Sequence, residues 1–464
     1  MSFLSAVSVV LAGAVVTATV GYALARFFTG DLSPAERLAW SIATGFLVQS
    51  ILFVIVVSIL PGRARLPLVV IDIAIVAASF LARRGLLTPS LRLRGEGKVE
   101  GRPFVIALLV IAGAASLLFL VTALSEPMWA PDYLAMWGLK GKTIFETGFI
   151  PRRLFQDRAL YWGRPDYPLL VPLSLATLAS LSGGWNDQAL ALFFALCELA
   201  TILGVWGFLA RRISPLTGAA AAALVSVCFP LYRAVNAGHA EIPLALALVL
   251  VSCAFLDALG GSRSAVTRLL FASLLSAWIK PEGTLFVLLL AGVLWVRQRT
   301  RLVDTWKNGG WALVVPPVLH ASLMFLLCRP IPQRDFDPTF LEPRRWAELL
   351  TRFGIVIARV LGSDVLPAWV PVLAIGLFFL FTRRGFADPL LAVFALQILA
   401  YLAAFSISSF DPIWKVEASF QRIVATLFPA FALVLGARVG GEESGQSVGT
   451  PVRPPGQRAG SQIG

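Results

Sequence analysis

Five short polar stretches carry the residues able to do chemistry. They are Asp132 with Lys140, Asp166 with Tyr167, His239 with Glu241, Lys280 with Glu282, and the segment from Trp414 to Arg422. A carboxylate can take a proton from a hydroxyl or orient that hydroxyl by accepting its hydrogen bond. An arginine suits a phosphate or pyrophosphate group. Each stretch also admits a purely structural account. Pro131-Asp132 reads as a helix start, with Asp132 as a plain cap. Asp166 could be a turn residue before a proline-broken run. Glu241 opens an apolar helix, where a carboxylate complements the dipole. His239 could be a hydrogen-bonded packing residue. Lys280 and Glu282 could pair with each other, and Arg422 could pair with Glu417 or snorkel to the interface.

Spacing adds one constraint. At about 100° per residue, Tyr133, Trp137, Lys140 and Ile144 share one helical stripe, with Lys142 opposite. An amphipathic helix at the membrane surface explains the apolar members. It does not explain Lys140, which calls for a carboxylate or a lipid phosphate as partner.

The elements that must position these residues follow from composition. The 464 residues are 58% hydrophobic and only 14% charged, against roughly half and a quarter in a soluble domain. The apolar residues fall in long runs separated by short basic stretches, a polytopic α-helical membrane pattern. The net charge of +13 is carried mainly at helix ends, where it sets orientation, so no nucleic-acid partner is expected. The four cysteines lie inside apolar runs without paired spacing, which argues against a disulfide framework or a zinc site.

The runs predict about thirteen spans: 3–28, 39–60, 66–84, 103–125, 186–210, 215–234, 241–259, 266–279, 283–296, 310–329, 367–383, 388–408 and 420–438. Residues 1–84 form an N-terminal three-helix unit and 85–102 a basic cytoplasmic loop. The core is 103–439, and 440–464 is a Gly/Ser/Pro-rich tail expected to be disordered and cytoplasmic. The interval 126–182 is the first large outside loop. Its apolar stretch 168–182 is too short and proline-rich to span. If it crossed, Arg211-Arg212, Arg263/Arg268, Arg297 to Lys307 and Arg383-Arg384 would all fall outside. If it is re-entrant, all four clusters fall inside, so that reading is taken. Residues 343–362 predict an outside amphipathic helix. With this parity the five polar stretches converge on the outer face, where ionisable groups near the membrane tend to be functional.

The motifs in this order resemble the GT-C membrane glycosyltransferases. They look most like the bacterial branch related to protein O-mannosyltransferases and lipid A aminoarabinose transferases. Members carry sequences similar to WDALAFWGPKAKALY where this chain has APDYLAMWGLKGKTIF. HPDYPLL corresponds to RPDYPLL, GYADLPLAL to GHAEIPLAL, and KNEG to KPEG. A late S..R...QL.P pattern matches Ser419, Arg422, Leu427 and Pro429. The order holds from about residue 103 to 438. The resemblance implies a GT-C-like all-α fold in the inner (plasma) membrane with an extracytoplasmic active site. It implies a sugar donor carried on polyprenyl phosphate and a protein, lipid or glycan acceptor. By that match Asp132 is the base or acceptor-orienting carboxylate, Glu241 the second acidic position and Asp166 a supporting one. Lys140, Lys280 and Arg422 would hold the carrier phosphate. Tyr133, Trp137, Tyr167, His239, Glu282 and Ser419 would support them. No D-x-D pair accompanies Asp132, so neither a metal nor another cofactor is expected. His239, Glu241 and Pro281 stand where tyrosine, aspartate and asparagine are usual. The rival readings are a flippase for a lipid-linked sugar, which needs ionisable groups along a mid-membrane path, and a noncatalytic envelope-assembly subunit.

Overall fold

The computed structural model describes residues 3–83, 102–156, 164–228, 230–233, 237–297, 309–327, 337–362 and 388–443. The predicted span 367–383, nearly all of the basic loop and the tail from 444 lie outside them. Fifteen principal helices run in chain order: α1 Phe3–Ala25, α2 Pro34–Ile59, α3 Arg65–Arg83, α4 Arg102–Ser125, α5 Gly138–Thr147, α6 Leu170–Ser182, α7 Leu192–Arg212, α8 Pro215–Ser226, α9 Glu241–Leu259, α10 Arg263–Ile279, α11 Pro281–Arg297, α12 Trp311–Leu327, α13 Trp346–Gly362, α14 Pro389–Ser406 and α15 Gln421–Glu443. No strand occurs among the described residues. Seven helical segments there are long and apolar enough to cross a bilayer, and four shorter apolar helices accompany them. The chain is an all-α membrane protein.

The helices start where the sequence supplies caps. Ser33 accepts from the Glu36 amide while the Glu36 side chain accepts from the Ser33 amide, with Pro34 in the first turn of α2. Asp388 caps α14 ahead of Pro389. Both capping segments also anchor ion pairs. Glu36 binds Arg211 at the end of α7, and Asp388 binds Arg438 near the end of α15. Around Glu36 the network continues through Asp257 to Arg211, Arg212 and Arg268, and from Arg268 to Asp31. One end of the bundle is thereby laced together.

α9 is the axis of the core. Of its 19 residues, all from Glu241 to Asp257 are buried, packed by α7, α10 and α15. Its length of about 28 Å carries Glu241 at one end and Asp257 at the other. α10 and α11 are short, as the sequence predicts, and meet at an extended Lys280. Gly283 makes this junction possible, because a Cβ there would lie 2.2 Å from the Ser276 carbonyl oxygen.

The segment 126–190 departs from expectation in its packing. Tyr133, Trp137, Lys140 and Ile144 are all buried. The helix that carries Lys140 and Ile144 packs on α6, Tyr133 in the turn before it meets Gly238 and Asp187, and Lys142 points outward and pairs with Glu146. α6 is only 13 residues long, and every one is buried. It is an enclosed core helix. Gln188, just beyond α6, donates to the Leu124 carbonyl at the end of α4. The amphipathic helix predicted at 343–362 is α13, with Leu350 and Leu361 exposed. α15 extends to Glu443, past the point where the tail was expected to begin.

Two π-helical turns interrupt otherwise α-helical runs. One covers Tyr133–Trp137, immediately before α5, and the other Val416–Phe420, immediately before α15. Single π turns of this kind often sit at functional sites.

Candidate functional site

Asp132, His239, Glu241, Lys280, Glu282 and Arg422 come from four separate parts of the chain and form one ionic cluster. Arg422 lies at its centre, with Nη1 3.0 Å from Asp132 Oδ2 and Nε 2.9 Å from Glu241 Oε1. Lys280 Nζ is 3.0 Å from the same Glu241 oxygen and 3.1 Å from Glu282 Oε1. His239 Nδ1 lies 3.2 Å from Asp132 Oδ2, and Arg422 Nη1 lies against the imidazole ring nitrogens. Glu241, Lys280 and His239 are buried, while Asp132 keeps about a fifth of its side chain exposed.

These contacts decide among the structural accounts. Asp132 does not cap a helix, since its side chain makes no capping hydrogen bond. Lys280 and Glu282 do pair locally, but Lys280 also reaches Glu241. Arg422 does not use Glu417, which is paired with Arg359.

The electrostatics follow from the geometry. Burial alone would raise the Asp132 carboxyl. The hydrogen bond with His239 and the charge of Arg422 outweigh it and hold the group well below the usual carboxylate range. Burial works against a charged Lys280, yet Glu241 and Glu282 keep it protonated and raise it above the ordinary lysine range. Glu241 directs Oε1 to both cations. Its Oε2 is buried and has no hydrogen-bond partner among the described residues, and the same holds for Glu282 Oε2. A buried acceptor without a donor is costly, so these two oxygens mark where donor groups of a ligand would be stabilised.

Asp132, His239 and Glu241 each offer a ligand atom, all within 4.8 Å of one another. That set could hold a divalent cation. Arg422 already supplies positive charge to both carboxylates, so a metal would have to displace it.

A second group of candidates flanks the cluster. The Trp137 ring lies 5.6 Å from Tyr167, and the Arg164 guanidinium stacks 4.5 Å above Tyr167. Burial and the nearby Glu282 push the Tyr167 phenol up to about 12. Asp166 is bound to Arg164 at 3.4 Å. Lys140 donates to the Arg164 carbonyl, the same oxygen that accepts from the Tyr167 amide. Arg164 has φ +48°, the left-handed region that non-glycine residues rarely enter. The two contacts to its carbonyl help hold it there. Tyr133 donates to Asp187. Ser419 is half-buried one turn before Arg422.

The sequence reading did not single out Asp187, Arg164, Gln397 or Lys415. Gln397 donates to the Glu282 carbonyl and to Tyr401. Two polar residues four apart in the apolar run of α14 were the available signal. Of the four ionisable residues a transport path could use, Asp72 bonds to Gln49, Glu198 to Ser116 and Asp257 joins the network at the opposite end, while His320 Nε2 is buried with no hydrogen-bond partner among the described residues.

Comparison with protein-family models, curated proteins and solved structures returns no match. The likeness to GT-C enzymes rests on the ordered motifs.

Proposed function

We propose that this chain is a membrane glycosyltransferase that moves a sugar from a polyprenyl-phosphate carrier to an acceptor hydroxyl at the outer surface of the plasma membrane. The observation that carries this reading is the single cluster in which Asp132 and Glu241 share Arg422, with Lys280 beside them. Transfer from a lipid phosphate needs that pairing of functions. The acceptor oxygen attacks the anomeric carbon while the bond from that carbon to the phosphate oxygen breaks. The electron pair leaves with the polyprenyl phosphate, already stable as an anion, so cationic side chains suffice and no strong general acid is required. The acceptor proton passes to a carboxylate, for which Asp132 is the partly open candidate. A single displacement of this kind inverts the anomeric centre.

The charges of the cluster suggest how the base is readied. While Arg422 faces Asp132, that carboxylate is a weak base. A carrier phosphate that draws Arg422 onto its own oxygens removes this stabilisation and raises the proton affinity of Asp132. Glu241 Oε2 and Glu282 Oε2 are then free to accept from sugar hydroxyls.

The test is mass spectrometry of envelope glycans and glycolipids from cells with the gene, without it, and with Asp132→Asn. Loss of one glycan class on deletion is expected. Wild type restores it, and the variant restores below about 1% of the wild-type rate at equal membrane abundance. Unchanged glycans on deletion overturn the reading, and full transfer by Asp132→Asn removes that residue from the chemistry.

A further inference from the structure

Each cation assigned to the phosphate by the motifs already has partners. Arg422 holds two carboxylates, Lys280 holds two, and Lys140 is buried against the Arg164 carbonyl. Lys415 differs. It is half-buried at the end of the short helix Pro412–Lys415, two helical turns before Arg422 on the same continuous run. No carboxylate lies within ion-pair distance of it among the described residues; its ammonium rests 5.4 Å from the Phe410 ring centroid. Around it act the charges of Arg164 and Lys280, opposed by Asp132 and Glu282. A lysine with no carboxylate in ion-pair distance among the described residues gains from an incoming anion.

The surroundings point to an amphiphilic anion. Ile413 and Trp414, beside Lys415, are exposed, and a tryptophan at this position suits the bilayer interface. The segment is also held in place. Arg352 of α13 donates to the carbonyls of Ser406, Ser408 and Phe410, and Arg359 of the same helix pairs with Glu417. Ser419 lies one turn further along the helix and makes no side-chain hydrogen bond among the described residues. Ser419 follows Lys415 by about one turn on this run, and Arg422 follows Ser419 by about one more.

We propose that Lys415, assisted by Ser419, is the docking subsite for the phosphate of a polyprenyl-phosphate carrier, with the isoprenoid tail passing Ile413 and Trp414 into the bilayer. This deepens the glycosyltransferase reading and rests on it for the identity of the carrier. Lys415 binds the incoming phosphate first, and the ion-paired Arg422 engages it as the sugar reaches Asp132.

The experiment uses the full chain in nanodiscs and native mass spectrometry with a polyprenyl phosphate. The comparison ligands are the uncharged polyprenol of equal length, phosphatidylglycerol and inorganic phosphate. Lys415→Gln is expected to weaken polyprenyl phosphate binding about tenfold and to leave polyprenol unchanged. Lys415→Arg should stay within about twofold of wild type, and Glu417→Gln, a neighbouring structural contact, should bind normally. Wild-type affinity in Lys415→Gln overturns the proposal, as does an equal loss for polyprenol. An equal loss for phosphatidylglycerol also overturns it and assigns Lys415 to bilayer headgroups. The assay needs neither sugar nor acceptor. Selective loss in Lys415→Gln in a protein without transfer would therefore keep the subsite and remove the transferase reading.

Discussion

Asp132 shows what a residue gains from its neighbours. Its carboxyl is held below the usual range, so its pairing with Arg422 stabilises the fold fully at pH values above the unfolded-state range near 4. That contribution is lost only as pH falls through the lower, folded-state value. Thermal midpoints of wild type and Asp132→Asn in detergent should therefore differ by a constant amount from about pH 8 to about pH 5, corresponding to ~2 kcal/mol for a charged hydrogen bond. The gap should narrow below about pH 4. A gap that closes between about pH 7 and 5 would mean that another group, and not this carboxylate, carries the pair. The sequence made Asp132, Glu241, Lys280 and Arg422 visible because charged residues stand out at the ends of apolar runs. Their mutual contacts were not legible. Arg422 meets Asp132 across nearly three hundred residues of chain, and nothing in its local spacing favours that partner over Glu417.

At the scale of elements, the α10–α11 junction sets where Lys280 can reach. Gly283→Ala places a methyl group 2.2 Å from the Ser276 carbonyl oxygen and 2.8 Å from Leu244. The two helices must separate, which draws Lys280 off Glu241. The expected result is a stability loss of ~1–3 kcal/mol together with reduced transfer. Gly292→Ala, on the same helix with no atom within 4 Å of its new Cβ, is the control and should leave both unchanged. Equal behaviour of the two variants would show that the junction does not position the lysine. The element boundaries were readable from apolar runs, caps and prolines, as at Ser33-Pro34 and Asp388-Pro389. The burial of α5 and α6 was not. An amphipathic stripe reads the same whether it faces lipid or a neighbouring helix, and Lys140 finds a backbone carbonyl that no side-chain pattern announces.

At the scale of the whole molecule, charge is segregated to the two ends of the bundle. Glu36, Arg211, Asp257 and Arg268 meet at one end, while Asp132, Glu241, Lys280 and Arg422 meet at the other, with α9 between. With the proposed topology, in which 168–182 does not cross, these two groups lie on opposite faces of the bilayer. Single cysteines at Lys142 and Gly30, in a background whose native cysteines are alanine, test this. Both positions are exposed, and Gly30 has open space for a side chain. A membrane-impermeant maleimide should label position 142 in intact cells and position 30 only after permeabilisation. Labelling of both from one side would overturn the three crossings between them, α2 to α4, and with them the extracytoplasmic site.

The two π turns have a consequence for chain length. Each accommodates one residue more than an α-helix would over the same rise, and each lies directly beside a member of the ionic cluster. Removing a single residue there, Ala135 or Ala418, would let the helix relax to regular α geometry. The helix beyond the deletion would keep its orientation, while the side chains within the turn would be re-aimed. In the second case that moves Ser419 relative to Lys415 and Arg422. At these two places the site depends on how many residues the chain contains as much as on which residues they are.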